Sequence, residues 1–326
     1  MNREQRTVNS EQVTPNCYLL TVNCPLIREY LSYLQSVRRV AVRTIEAYKD
    51  DLSRFSVYCD NHGIDPGAAN SYQVQGFIAD LSFEGMAAAS INRRLSSIRG
   101  FYRWMSRFHG RADNPCDALR NVKAPQRLPA VLWEDEMACF AELPEKRKML
   151  WPTRDKALIM TMYSAGLRIS ELASLSMKML TGNMEGARIL GKGDKERAVF
   201  FSGEARDALS DYLPERTAKI MSSAREIANE GSLFISAKGM PLSVPGIRWI
   251  IGQYAQVSGM GKNIHPHSLR HSFATHLVNA GCDVRIVQEM MGHSSLSTTQ
   301  RYAHVNIENL KRVYAKAHPH SQRSHG

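Results

Sequence analysis

The sequence contains no uninterrupted apolar run of about 18 residues, which excludes an ordinary transmembrane helix. Its opening stretch, MNREQRTVNSEQ, is polar and lacks the apolar stretch that forms the centre of a secretory signal. Cysteine is sparse: six residues, at 17, 24, 59, 116, 139 and 282, with no Cys-x-x-Cys pair. That spacing suits neither a zinc module nor a dense disulfide framework and fits a reduced cytoplasmic protein. His267 and His271 stand one helical turn apart, but no Glu follows the first. The His-Glu-x-x-His logic of a metalloprotease is missing, and no metal or other cofactor is expected. Nor is there a repeat with a period of roughly 20–50 residues, so a solenoid is excluded. The most local absence is of negative charge: no acidic residue lies between Glu84 and Asp113.

What is present is a chain of 326 residues, 43% hydrophobic, long enough for two modest domains with real cores. Its net charge of +11 favours a polyanionic partner, either nucleic acid or an anionic membrane surface. Residues 1–24 show no period and read as a mobile arm. From Pro25 the spacing turns helical, with Leu26, Ile27, Tyr30, Leu31 and Leu34 on one face. A second helix begins at Val42 with Ile45, Tyr48, Leu52 and Phe55 inward; a turn over 61–66 stops it, and a third covers 71–84. The fourth, 88–109, carries an apolar stripe of Ile91, Leu95, Ile98, Tyr102 and Met105. It falls in the acid-free stretch together with Arg93, Arg94, Arg99, Arg103 and Arg107. Solvated helices usually mix charge signs, so this one is either a phosphate-facing surface or an ordinary basic face.

Residues 113–130, with three prolines, read as an interdomain linker between a helical domain at 25–112 and a second domain at 131–319, with a tail at 320–326. The second domain is mostly helical, with one exception. Ala187–Leu190 and Arg197–Phe201 are strand-like runs around a Gly- and Asp-containing turn, which predicts a β-hairpin.

Several residues in this domain could carry chemistry. Arg168 follows Gly166-Leu167 and opens a helix among apolar neighbours; either Glu171 pairs with it or an anionic ligand does. Lys192 sits between two glycines on the hairpin, where it is a solvated turn lysine or a group able to reach a phosphate, with Lys195 as a rival. His267 and Arg270 share one side of a helix start, though a His-x-x-Arg arises readily by chance. Gly292 ends a helix and His293 follows it; Ser297-Thr-Thr can cap a short helix bearing Tyr302, which alone would pass as a core aromatic. Together they are what phosphoryl transfer without a metal requires. Two arginines hold the non-bridging oxygens, a tyrosine attacks, and a lysine or histidine protonates the leaving oxygen.

The motifs Gly-Leu-Arg168-Ile-Ser-Glu171-Leu, Gly-Lys192-Gly-Asp-Lys-Glu-Arg197, His267-Ser-Leu-Arg270-His-Ser-Phe-Ala-Thr-His276, Met291-Gly-His293 and Ser297-Thr-Thr-Gln-Arg-Tyr302 resemble the tyrosine recombinase (phage integrase) family, in its order and close to its spacing. The tail from Ser297 through Val313-Tyr-Ala-Lys-Ala-His-Pro319 is most similar to the Xer branch. The resemblance implies a mainly α fold: an N-terminal four-helix SAM-like core-binding domain and a mixed α/β, mostly helical catalytic domain. It implies that Arg168, His267, Arg270 and His293 activate a DNA phosphate, that Lys192 is the general acid, and that Tyr302 forms a 3′-phosphotyrosyl link. Glu171 would buttress Arg168, and Arg93, Arg94, Arg99, Arg103 and Arg107 would face DNA. The implied partner is a double-stranded core site, bound by a tetramer that includes a second Xer-type recombinase, with no membrane involved. The tail residues Ile307, Leu310, Val313 and Tyr314 would dock on a neighbouring protomer. Residues 1–24 and 320–326 exceed what a minimal Xer protein needs and leave open a mobile-element recombinase with a similar core. A DNA binder without catalysis and a type IB topoisomerase are further alternatives, the first disfavoured by the complete set of six residues.

Overall fold

The computed structural model describes residues 24–123, 130–190, 196–222 and 231–292, together with 314 and 319. The chain divides into two compact units, Met1–Arg127 and Leu128–Gly326. The first unit holds α1 (Pro25–Ser36), α2 (Val42–Asn61), α3 (Ser71–Phe83) and α4 (Ala88–Phe108). Two of them start on a local signal. Pro25 occupies the first turn of α1, where a missing N–H costs nothing. Asn70 and Gln73 form a reciprocal capping box at α3, with distances of 3.0 and 2.8 Å. The apolar stripes meet in one core of Ile27, Leu31, Leu52, Phe55, Phe77, Leu95, Ile98 and Tyr102. Tyr102 is fully buried, and its hydroxyl donates to the Pro66 carbonyl at 2.7 Å.

Residues 113–123, expected to begin a linker, belong to this unit instead. Cys116 is buried in its core, and Leu119 and Val122 pack against it. Asn92 and the Val122 backbone exchange two hydrogen bonds of 2.9 and 2.8 Å. Proline content signalled an irregular backbone here, and irregular backbone can still be pinned by side chains.

The second unit contains α5 (Glu134–Arg147), α6 (Pro152–Ser164), α7 (Ile169–Ser174), β1 (Leu180–Thr181), β2 (Gly186–Leu190), β3 (Glu196–Phe200), α8 (Gly203–Ser222), α9 (Val244–Val257), α10 (Pro266–Asn279) and α11 (Val284–Met291). The expected hairpin is β2–β3, antiparallel, with Ile189 opposite Arg197 and Leu190 opposite Glu196. β1 adds a third strand beside β2. At the centre runs α6, buried from Ala157 through Ser164 and covered by Leu172, Leu209, Tyr212, Ile250, Tyr254, Phe273 and Leu277. An all-round apolar helix of this kind needs neighbours on every side. Its buried start is electrically satisfied: Asp155 accepts from Arg154 Nε at 2.8 Å, Tyr254 Oη at 2.8 Å and the Trp151 amide at 3.2 Å. Among the described residues, no helix is long and apolar enough to cross a membrane.

Candidate active site

The site gathers where α7, β3, α10 and α11 converge. Gly166 makes the turn from α6 towards α7 with φ of +56°, and a Cβ there would lie 2.4 Å from the Phe273 ring of α10. Both the left-handed backbone and the close approach require glycine. We expect Gly166→Ala to lose roughly 2–4 kcal/mol, from combined strain and overpacking. Urea unfolding measures this, and a loss below about 1 kcal/mol would contradict the packing described.

That turn delivers Arg168 to the N-cap position of α7. Glu171, three residues on and buried, accepts the Arg168 amide at 2.8 Å and the Arg168 Nη1 at 2.8 Å. Arg168 Nη2 donates to the Gly292 carbonyl at 2.9 Å. Arg270 projects from the first turns of α10 and is also buried. Its Nη2 donates to the Met291 carbonyl at 2.6 Å, its Nη1 to the Gly166 carbonyl, and its guanidinium lies 4.0 Å from Glu171. Burial, with repulsion from Arg168 behind it, pushes the Arg270 guanidinium down to about 10, so it stays cationic at neutral pH. Burial also pushes the Glu171 carboxyl upward, but hydrogen bonds from Arg197 and the Arg168 amide outweigh it and hold Glu171 below the usual range.

His267 stands exposed at the head of the same helix, whose N-cap is His265, its Nδ1 accepting the Ser268 amide at 3.1 Å. Desolvation, then the positive fields of His265, Arg270, Arg248 and Arg168, depress the His267 pKa below its ordinary 6.5. The shift favours the neutral imidazole at pH 7.

The structure thus brings together Arg168, Glu171, His267 and Arg270. It adds Arg197, whose guanidinium faces Glu171, and Arg248, two cations the sequence reading gave no role. Three arginines converge on one carboxylate. The three guanidiniums carry more positive charge than the one carboxylate offsets, and they are partly withdrawn from water. Lys192, His293 and Tyr302 lie outside the described residues, as do Ile307, Leu310 and Val313. Tyr314 is buried in the second unit, 5.9 Å from the Phe200 ring. Among the described residues no group of three or more His, Cys, Asp or Glu could hold a metal ion.

Residues 131–309 match the family model described as "Phage integrase family", and residues 27–108 the one described as "Phage integrase, N-terminal SAM-like domain". The chain belongs to the phage integrase family. Within that family it is 40% identical to the tyrosine recombinase XerC of Treponema denticola over 91% of its own length and 99% of the relative's. Identity to the tyrosine recombinase XerC of Pelotomaculum thermopropionicum is 38%, covering 91% and 98%. Of solved structures, XerH site-specific recombinase bound to palindromic difH substrate aligns with a TM-score of 0.65 at 24% identity, covering 87% of this chain and 80% of that one. The Tn1549 transposon integrase aligns with a TM-score of 0.66 at 18% identity, covering 89% and 98%. At those identities the structural likeness carries the fold; the sequence relatives carry the branch. This integrase-family chain is a Xer-type site-specific tyrosine recombinase, an enzyme that breaks and rejoins DNA.

The basic helix of the SAM-like domain needs a different account from the one its sequence invited. Arg94 is turned inward, its side chain 9% exposed, 3.4 Å from Asp50 and 3.6 Å from Asp51. Arg93 donates to Asp51 at 2.8 Å while remaining 43% exposed. Arg99 braces the segment that follows, donating to the Cys116 carbonyl at 3.3 Å and the Leu119 carbonyl at 2.5 Å. Arg103 and Arg107 are exposed. The counter-charges come from α2, across the helix pair, where a scan along α4 alone cannot see them.

Proposed function

We propose that this chain cleaves one strand of a duplex core site with Tyr302 and reseals it to a partner duplex. The convergence of Arg168, Arg197 and Arg270 on Glu171, with neutral His267 beside them, supports this reading more than any other feature. In it, Arg168 and Arg270 take the non-bridging oxygens of the phosphate, with His267 and His293 completing the hold. Tyr302 loses its proton and attacks phosphorus, forming a 3′-phosphotyrosyl bond. The 5′ oxygen leaves as a hydroxyl, protonated by Lys192. That hydroxyl attacks the partner's phosphotyrosyl link, and a Holliday junction results. One ester replaces another, so the chemistry balances without ATP. Arg93, Arg103 and Arg107 of the SAM-like domain, the exposed arginines of α4, meet the DNA backbone. Four protomers act together, a second Xer-type recombinase among them, and the product is resolved chromosome or plasmid dimers on the nucleoid in the cytoplasm.

Sequencing of DNA covalently attached to the protein in cells tests this. A single chromosomal site near the replication terminus is expected. Attachment at the ends of a mobile element would replace dimer resolution with transposition or integration. His267 supplies a second check. Burial and then the positive fields of His265, Arg270, Arg248 and Arg168 hold its pKa down, and a bound anion opposes the second of these causes, so binding takes up a proton. Affinity for core-site DNA should therefore strengthen as pH falls from neutral into the range where the imidazole of the complex takes up its proton. Calorimetry of Tyr302→Phe protein in buffers of different ionisation heat should show that uptake, and His267→Gln should lack it.

A further inference from the structure

Arg197 is absent from the catalytic set above, yet it is as fully engaged as any residue around it. It lies on β3, opposite Ile189, with a side chain 13% exposed. Nη1 reaches Glu171 Oε1 at 2.8 Å and Nη2 reaches Oε2 at 2.9 Å, a two-pronged grip that fixes the carboxylate plane. Nε donates to the Met290 carbonyl at 3.1 Å. Each edge of the guanidinium is therefore turned inward.

The Met290 contact belongs to a series. Arg197 takes the carbonyl of Met290, Arg270 that of Met291, and Arg168 that of Gly292. These are consecutive groups at the end of α11, which the helix leaves without amide partners and which carry the negative end of its dipole. Gly292 ends the helix at φ +66°, and a Cβ there would sit 2.9 Å from Arg197 Nη1. Glu171 and this helix end are thus the two anchors shared by the arginines, and Arg197 alone grips the carboxylate with both Nη atoms while also holding the helix.

We propose that Arg197 is a positioning residue for strand cleavage: by tying Glu171 to the end of α11 it sets the direction in which Arg168 presents its guanidinium to the scissile phosphate. This rests on the phosphate-site reading given above. A lysine carries the charge but satisfies one contact at a time, so Arg197→Lys separates charge from geometry.

The test uses full-length protein and a nicked duplex bearing the trapped core site. Single-turnover formation of the covalent adduct should fall about 10–100-fold in Arg197→Lys, the scale of a small misplacement of a catalytic group. Affinity for the same duplex should stay within about threefold, with an unchanged salt slope. The deficit should persist on a duplex with a 5′-bridging sulfur at the scissile phosphate, where the leaving group needs no proton. Adduct formation within threefold of wild type overturns the inference. So does a parallel loss of affinity with a shallower salt slope, which makes Arg197 a direct phosphate contact. Full rescue by the bridging sulfur overturns it too, because the residue would then act on the general acid. If Arg197→Lys does not fold, the pair Glu171→Gln and Glu171→Gln/Arg197→Gln, which leaves no charge on the carboxylate side, carries the test. Equal deficits support action through Glu171, and a further tenfold loss in the double variant overturns it. Wild type and Tyr302→Phe run alongside: no adduct from wild type fells the phosphate reading itself, whereas equal adduct from wild type and Arg197→Lys fells only the inference.

Discussion

Tyr302→Phe should leave core-site affinity within about twofold and reduce the covalent protein–DNA adduct by on the order of 10⁴ or more, the scale at which removing a nucleophile stops an enzyme. The loss is expected to be this deep because no neighbouring phenol can replace it. Tyr163, Tyr212, Tyr254 and Tyr314 are all buried in the catalytic unit. Burial pushes each of their hydroxyls upward, that of Tyr212 to about 12, so none offers an accessible phenolate near neutral pH. Tyr163 already hydrogen-bonds His276 at 2.8 Å, and Tyr254 donates to Asp155. A denaturing gel of protein on a nicked, radiolabelled core site reads the result directly. A residual adduct near wild-type level would mean that another residue is the nucleophile.

Arg270→Lys should slow adduct formation by about 10²–10³-fold, as expected on losing a charge-stabilising donor pre-aimed at the developing negative charge. Arg270 is held by the Gly166 and Met291 carbonyls and is 6% exposed in its side chain, so its remaining N–H groups are fixed in direction. A lysine ammonium keeps the charge but reaches only one of those carbonyls, and a buried acceptor left without a donor costs about 1–3 kcal/mol. The variant should therefore also melt earlier. Rapid-quench kinetics and urea unfolding separate the two effects; cleavage within tenfold of wild type would remove Arg270 from the phosphate.

Much of this was legible in the sequence. The apolar stripes of α1, α2 and α4 reappear as buried Ile27, Leu31, Leu52, Phe55, Ile91, Leu95 and Ile98 because a helix repeats its inward face at three and four residues. Arg168, Glu171, His267 and Arg270 could be read as a set from motif order. What stayed hidden was long-range. The carboxylates facing Arg93 and Arg94 are more than forty residues away, on α2. Arg197 stood inside a quoted motif, but strand alternation says only which face a residue occupies, not that a carboxylate and a helix end wait there. β1, two residues long, is too short to show a period. Proline density concealed that residues 113–123 pack on the first unit.

The end of α11 has a consequence for how this enzyme can vary. Its contacts to Arg197, Arg270 and Arg168 use main-chain carbonyls, which every amino acid supplies. Side chains of similar volume at Met290 and Met291 can change without moving the arginines. Inserting or deleting one residue there turns the helix end by about 100° and removes all of these acceptors together. At this point of the molecule the active site is written in the length of the chain, and drift in composition is tolerated where drift in register is not.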